Sequence, residues 1–527
     1  MKLFYKISLW ALLLSATSCN FLDVELQGAT PEEDYYQNVE QLQEALNGVY
    51  AVLSDGSLYA DAMLGRMGLS ADLGYEYYKK DANTVGYYQA STGDTRIQGY
   101  WRACYVGINR ANMLIENIDR ADGDAKEKNR IKGEALFMRG YYYYMLVKRF
   151  GGVPVVTKTI DDINTAEKFV PKSTVAEVYE QILDDMSSAE SLVLPTSASS
   201  EGWQVCQTTC WGMLARVALN MAGYPANRTE MYAVAAQWAK KVMDSGMHEL
   251  NPSYEQIFIN YAQDVFDIKE SMFEVNFWGD NEGIYTTAGM VGRNIGIASD
   301  ESSPIGFCQG MLRVNPYFYY LYESNDLRRD RTISSFNYSA SGAHVKDAAP
   351  EDGGIISRRY CAKFRREEEI SSSKNVTYTA INFPILRYSD VLLMYAECYA
   401  FDPASADATL ALECLNKVRR RGYGQPVDVA NTNVDIVVSS AEELKQVIFD
   451  ERAREFGYEM LRKDDLTRWG KLYEQMQLAG KYIEGRGTQY QMAAMLAYES
   501  VRQRDDLWPI PAREISVNER LTQNIGW

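Results

Sequence analysis

Chemistry needs its groups brought together, and few of the usual reacting side chains cluster in this sequence. There are two histidines, His248 and His344, and neither has a second ligand at a metal-binding spacing. No G-x-S-x-G elbow, P-loop or dinucleotide fingerprint occurs. With 71 carboxylates, some pair will always mimic a glycosidase dyad, so a pair chosen by eye carries no information. We assign no catalytic residue, metal or cofactor from the sequence. What the chain does offer is aromatic rings in polar surroundings. Trp278 precedes Gly279-Asp280-Asn281-Glu282-Gly283, a polar turn that would hold the ring near solvent, with Tyr285 just beyond. Tyr75, Tyr77 and Tyr78 lie in a glycine- and tyrosine-rich stretch from Leu58 to Gly99, and Trp101 opens the helix after it. Trp101 also begins an apolar helical stripe, so core packing suits it equally well. Flat rings stack on the apolar face of a pyranose, while neighbouring Asn, Asp, Gln and Arg bind its hydroxyls. Removing on the order of 60 Å² of apolar surface from water per ring is worth about 1.5 kcal/mol at ~25 cal/mol per Å². Two such platforms with a few hydrogen bonds give micromolar to millimolar binding.

The elements that position these rings are helical. Ala135 to Val147 would cover nearly every side of a helix with apolar or amphipathic surface, including Tyr141 to Tyr144, so that helix must be buried all round. Gly151-Gly152-Val153-Pro154 stops it. Its tyrosine hydroxyls, Glu134 and Arg139 then require buried partners. A helix is expected to start at Thr30-Pro31 and run through Tyr35, Val39, Leu42, Leu46 and Leu53, and another to start from the capping box Thr174-x-x-Glu177. Trp211 to Met221 pairs with Met231 to Met243, and Tyr388 to Ala400 with Ala406 to Arg420. From Leu250 to Tyr378 the periodicity is broken, which predicts a loop-rich insertion with a few short strands at most.

The chain of 527 residues carries a net charge of -17 without a long basic cluster, which argues against nucleic acid. Its short runs, Arg365-Arg366 and Arg419-Arg420-Arg421, read as a solvated or salt-bridged face. Met1 to Ser18 has a short basic region, an apolar stretch and small residues before Cys19, a secretory signal too short to span a membrane. The seven cysteines after Cys19 show no spacing that demands a disulfide or zinc.

Several blocks resemble the SusD-like (RagB/SusD) outer-membrane lipoproteins of the Bacteroidetes. Glu134-Ala135-Leu136-Phe137-x-Arg139, the tyrosine cluster and Arg149-Phe150-Gly151-Gly152-Val153-Pro154 match the family's signature helix. So do Leu386-Arg387-Tyr388-Ser389-Asp390-Val391-Leu392-Leu393-Met394-Tyr395-Ala396-Glu397, Glu451-Arg452-Ala453-Arg454-Glu455-Phe456 with Asp465-Leu466-Thr467-Arg468-Trp469-Gly470, and the closing Trp508-Pro509-Ile510-Pro511 and Gln523-Asn524-Ile525-Gly526-Trp527. Lys463-Asp464 stands where an aromatic is usual after Arg462, and Ile525 where proline is common. The small residues before Cys19 resemble a lipobox.

The resemblance implies a mainly α fold, a tetratricopeptide-like scaffold of helix pairs over about 30–250 and 380–527 with the insertion over about 250–380. Residues 1–18 would be the signal peptide and 19–527 a single domain. It also implies an acylated Cys19, an outer-membrane, outward-facing location, and capture of a glycan for a SusC-like TonB-dependent transporter. No enzyme activity is expected. The alternatives are a surface glycoside hydrolase or a peptide-binding member of the same family. In such proteins the site lies on loops outside the scaffold, which makes Trp278, Tyr285, Trp101, Tyr75, Tyr77 and Tyr78 the candidates. The charges of Glu451, Arg452, Arg454, Glu455, Arg462, Asp465 and Arg468 read instead as a buried ion-pair network.

Overall fold

In the computed structural model, which describes residues 35–527 apart from 68, 78–83, 160–168, 200, 280–286, 348, 350, 371–373 and 485–488, the first helix is α1, Val39–Tyr50. The signal segment, Cys19 and the expected Thr30-Pro31 start lie outside these residues. The apolar run does not form one helix from Tyr35 onward. Tyr36 has φ 64° and Asn38 caps α1, accepting from the Gln41 N–H at 2.9 Å. After Tyr50 the chain tightens into a 3₁₀ turn, Ala51–Ser54.

Helices α2 (Thr95–Asn117) and α3 (Ala125–Phe150) pack side by side, and α3 is the buried centre that its composition predicts. Asp124 accepts from the Lys126 and Glu127 N–H groups at its start, and at its end Gly151, with φ 68°, donates to Val147 O at 2.9 Å. All four consecutive tyrosines are at most 2 % exposed. Tyr142 donates to Val49 O at 2.6 Å, Tyr143 to Val156 O at 2.8 Å, and Tyr141 meets Tyr59 hydroxyl to hydroxyl at 2.5 Å. Arg139 forks onto Asp185 at 2.9 and 2.6 Å and donates to Asn112 at 2.9 Å. The helices approach so closely at Gly107 that a Cβ there would lie 2.4 Å from the Tyr142 ring.

The capping box forms as expected at the start of α4 (Val175–Glu190), and α5 (Gln207–Ala222) packs against α6 (Met231–Asp244). A short helix, α7 (Tyr254–Ala262), opens the insertion, whose strands form small antiparallel pairs. Strand β1 (Gly74–Glu76) pairs with β3 (Leu312–Val314), β2 (Ser271–Val275) with β6 (Phe383–Arg387), and β4 (Phe336–Tyr338) with β5 (His344–Lys346). Strand β6 runs directly into α8 (Tyr388–Phe401), which packs on α9 (Ala408–Gly422), α6 and α10 (Ala441–Phe456). Phe258, Phe273 and Phe364 of the insertion share one buried cluster with Phe137, Tyr141 and Leu393 of the scaffold. The loop-rich segment is therefore packed into the core rather than draped over it.

The expected ion network is present, and it is larger than the motif suggested. Arg387, 1 % exposed at the end of β6, donates to Glu270 at 2.7 Å, Glu455 at 2.9 Å and Glu459 at 2.8 and 3.0 Å. Arg328 adds Glu451 at 2.7 Å, and Arg421 adds Glu455 at 2.6 Å. Arg452 joins Asp390 and Asp465, Arg462 forks onto Asp72, and Arg468 pairs with Glu397. Arg419, Arg420 and Arg421 are each at most 3 % exposed, so of the two readings of that run the salt-bridged one holds and the solvated one does not. Burial pushes the Glu451 and Asp390 carboxyls up, but the facing arginines outweigh it and hold each down at about 2. The seven described cysteines are all buried free thiols.

Candidate functional site

A cleft of about 320 Å³ opens where the end of α1, the segment before α5 and the edge of β2 meet. Tyr50, Trp203, Glu274, Asn276, Asn47 and Thr287 are among its lining residues. Its volume is at the lower end of the roughly 300–1,000 Å³ that hold small molecules. The rings of Tyr50 and Trp203 meet edge to face, with centroids 5.7 Å apart at 89°. Their placement is fixed from below by the central helix. Tyr50 donates to Glu134 of α3 at 2.8 Å and accepts from the Val205 N–H at 3.2 Å, while Gln204 donates to Glu134 at 3.1 Å. The segment carrying Trp203 is thus tied to a buried carboxylate, which lowers the ordering cost of binding. Half-buried Trp203 was not singled out in the sequence; the available signal was a tryptophan next to Gly202 in a polar stretch, the same pattern that picks out Trp278.

Trp278 follows β2 and is 51 % exposed, near solvent as expected. Its N–H donates to Thr287 O at 2.9 Å and its carbonyl accepts from the Thr287 N–H at 3.1 Å, so it is bonded back to back with a residue of the cleft. The other candidates do not converge there. Tyr75 is wholly buried on β1 and donates to Ser357 O at 2.6 Å, so it has no ring face to offer a ligand. Trp101 is 4 % exposed and packs on Phe150 and Tyr105 with centroids 5.0 Å away from each, which makes it core: the apolar stripe of α2 decided its place. Tyr77 is half-buried away from this cleft, with the Arg313 guanidinium 5.0 Å from its ring centroid. Tyr78 and Tyr285 fall outside the described residues.

Glu274 gives the cleft a titratable wall. It is 1 % exposed and accepts from Ser271 Oγ at 2.5 Å and Asn382 Nδ2 at 3.0 Å. Burial dominates over these hydrogen bonds and pushes the carboxyl up to about 7. Protonation is then favoured by folding, so the stability linked to this group is complete below its ordinary value near 4.5 and is lost as pH rises through about 7. Glu274→Gln keeps an acceptor for Asn382 and can donate to Ser271, and it removes that loss. We expect the variant to match the wild type at acid pH and to exceed it by up to about 3 kcal/mol above pH 8. Unfolding midpoints of both proteins across the pH range check this, and parallel curves would contradict it.

His248 hydrogen-bonds Thr208 at 2.7 Å and Ile268 O at 3.0 Å, and His344 stacks on Phe336 at 3.7 Å. Among the described residues no cluster of ligands suits a metal ion.

Two family profiles divide the sequence between them. Residues 270–527 match the SusD family, and residues 20–219 match the SusD-like family described as starch-binding and associating with the outer membrane. The chain belongs to the SusD family. Across 99 % of both chains it is 24 % identical to SusD-like protein P2 of Formosa agariphila. It is also 23 % identical to the starch-binding protein SusD of Bacteroides thetaiotaomicron, over 78 % of this chain and 75 % of that one. A crystal structure of a SusD homolog from Bacteroides thetaiotaomicron superposes with a TM-score of 0.83 at 26 % identity, covering 94 % of this chain and 98 % of the other. A laminarin-binding SusD-like protein shares the fold at TM-score 0.70 and 21 % identity, covering 93 % of this chain and all of the other. The mainly helical SusD fold expected from the sequence is the one found.

Proposed function

We propose that this chain is a glycan-binding lipoprotein of the outer-membrane surface, anchored through Cys19, that captures an oligo- or polysaccharide and passes it to a SusC-like TonB-dependent transporter. The observation that carries the reading is the Trp203–Tyr50 cleft with Trp278 exposed at its edge: aromatic surface for a pyranose face, and Asn47, Asn276 and Thr287 for its hydroxyls. Starch binding by SusD and laminarin binding by a protein of the same fold support it. Glu274 is the sole carboxylate among the described lining residues, and both of its oxygens are engaged. Glycoside hydrolysis ordinarily uses a pair, so the geometry favours holding a sugar over cleaving it. The described helices include none long and apolar enough to cross a membrane, which is compatible with a lipid tether. Calorimetric titration of neutral and acidic polysaccharides, run beside an assay for new reducing ends, should show micromolar to millimolar binding with no product. Product formation would make the chain an enzyme, and binding of peptides alone would move it to the other branch of its family.

A further inference from the structure

The segment that carries Trp203 is closed into a loop by the Leu194–Cys206 bridge, where the Gln207 N–H donates to Leu194 O at 3.0 Å. Inside that loop little hydrogen bonding holds the ring in place. Among the described residues, three hydrogen bonds join residues 201–205 to other elements: the Glu274 N–H to Gly202 O at 3.0 Å, the Val205 N–H to the Tyr50 hydroxyl at 3.2 Å, and Gln204 Nε2 to Glu134 at 3.1 Å. Two of the three lead to one carboxylate, because the Tyr50 hydroxyl in turn donates to Glu134 at 2.8 Å. Glu134 Oε2 takes Tyr50 at the end of α1, while Oε1 takes Gln204 of the loop and Arg130 at 2.6 Å, one turn earlier on α3.

Glu134 is 1 % exposed. Burial pushes its carboxyl up, and Arg130 pulls against that. For filling a core, a buried acid with its arginine is seldom better than apolar side chains of the same size. What a fully bonded carboxylate adds is direction, since each partner must approach along a lone pair. Arg130 is itself held, donating to Glu127 at 2.9 Å and to Gln43 of α1 at 2.6 Å, which keeps the carboxylate from swinging toward one partner. Glu134 thus sets the relation of the Tyr50 ring to the Trp203 loop from behind the cleft. Neither Glu134 nor Gln204 is among the residues that line it.

We infer that Glu134 of the central helix is a positioning residue of the sugar site, holding the Tyr50 ring and the Trp203 loop in the arrangement that a pyranose meets. The assignment rests on the glycan-capture reading and says how that site is kept ready: it is pre-formed on the scaffold, not assembled by the ligand. Without the carboxylate the loop keeps its Leu194–Cys206 neck and its Gly202 anchor, so the chain folds while the Trp203 ring loses its fixed place. If the competent arrangement is then populated about one-fifth of the time, the dissociation constant rises about fivefold.

The test is a double-mutant cycle in affinity, run on the full-length protein well below its melting point with starch, laminarin, xylan, mannan and pectin as probes. Gln204→Met removes one arm of the link at a position outside the cleft and should weaken binding roughly fivefold. Glu134→Gln cannot serve Tyr50, Gln204 and Arg130 together, and it should weaken binding at least as much. Because both break the same link, the double variant should bind no more weakly than Glu134→Gln alone, rather than showing the product of two losses. A residue that acted only on stability would lower the melting point and leave these dissociation constants and their coupling untouched. Tyr50→Phe, which keeps the ring and removes the other arm, should lose a similar factor and stands in for Glu134→Gln if that variant does not fold; unchanged affinity there would then count against Glu134. Wild-type affinity in Gln204→Met, or losses that simply multiply in the cycle with Glu134→Gln, overturns the inference and leaves glycan capture standing. Absence of binding to every probe by the wild type brings down the capture reading itself and this inference with it.

Discussion

Arg387→Met should destabilise the protein by roughly 3–5 kcal/mol at neutral pH, the cost of breaking a buried ion cluster from one side. The arginine faces Glu270, Glu455 and Glu459, which are between 0 and 4 % exposed. Without it, Glu459 keeps Lys363 at 2.6 Å, Glu455 keeps Arg421 and Arg328, and Glu270 keeps Arg421 at 3.6 Å. Each carboxylate then keeps a cation but loses the charge-assisted hydrogen bonds that Arg387 supplied, in a region almost wholly buried from water. Methionine fills most of the volume, so the loss measures charge and hydrogen bonds rather than a cavity. Arg387→Lys should recover little, because an ammonium cannot bridge three carboxylates in one plane.

The pH dependence separates this explanation from simple misfit. In the wild type, the carboxylates held low by arginines, Glu451 and Asp390 at about 2, give stability that is present above their ordinary values near 4 and lost as pH falls through about 2. Burial pushes the Glu455 carboxyl up while Arg421, Arg387 and Arg328 hold it well below the usual carboxylate range, so losing Arg387 raises it. The deficit should therefore shrink as pH falls and Glu455 takes up a proton in the variant. Urea unfolding at pH 7 and pH 4 reads both numbers. A deficit under about 1 kcal/mol, or one that ignores pH, would falsify the view that this cluster locks the insertion to α10.

The second large effect concerns binding. Trp278→Ala and Trp203→Ala should each weaken glycan affinity about tenfold, from ~1.5 kcal/mol per ring at ~25 cal/mol per Å², and the pair about a hundredfold if the rings act independently. For a ligand that begins in the micromolar to millimolar range, the double variant would fall below calorimetric detection. Stability should separate the two positions only slightly. Trp278 is half exposed, so its removal should cost within about 0.5 kcal/mol. Trp203 leans on Tyr50, so it should cost somewhat more. Trp101→Ala serves as the control: it should lower the melting point through a core cavity while a titration of the folded protein looks like wild type. Unchanged affinity in Trp278→Ala would remove that residue from the site and leave the Trp203–Tyr50 pair to carry it.

The sequence by itself determined the main scaffold helices and their order, though not the short helix Tyr254–Ala262 of the insertion. An all-round apolar run can only be a central helix, Thr174 marks a helix start by side-chain chemistry that acts within four residues, and Gly151 supplies the positive φ at which α3 stops. Such signals are local, so no tertiary contact is needed to read them. The charges in Glu451-Arg452-x-Arg454-Glu455 likewise announced a paired cluster, but not that a strand-end arginine, Arg387, would be its hub. The site was beyond local reading. Tyr75 and Tyr77 are two residues apart, yet the first is sealed under Ser357 and the second is half-buried against Arg313. Trp101 and Trp278 are chemically identical, yet one is core and the other half exposed. An aromatic ring is stabilised by burial and by a sugar face through the same loss of apolar surface to water. Its residue type therefore cannot say which partner it will meet. The tertiary structure decided that, when the end of α1, the Trp203 segment and the Trp278–Thr287 bridge, the first and last of them more than 200 positions apart, came together and left one face of that junction uncovered.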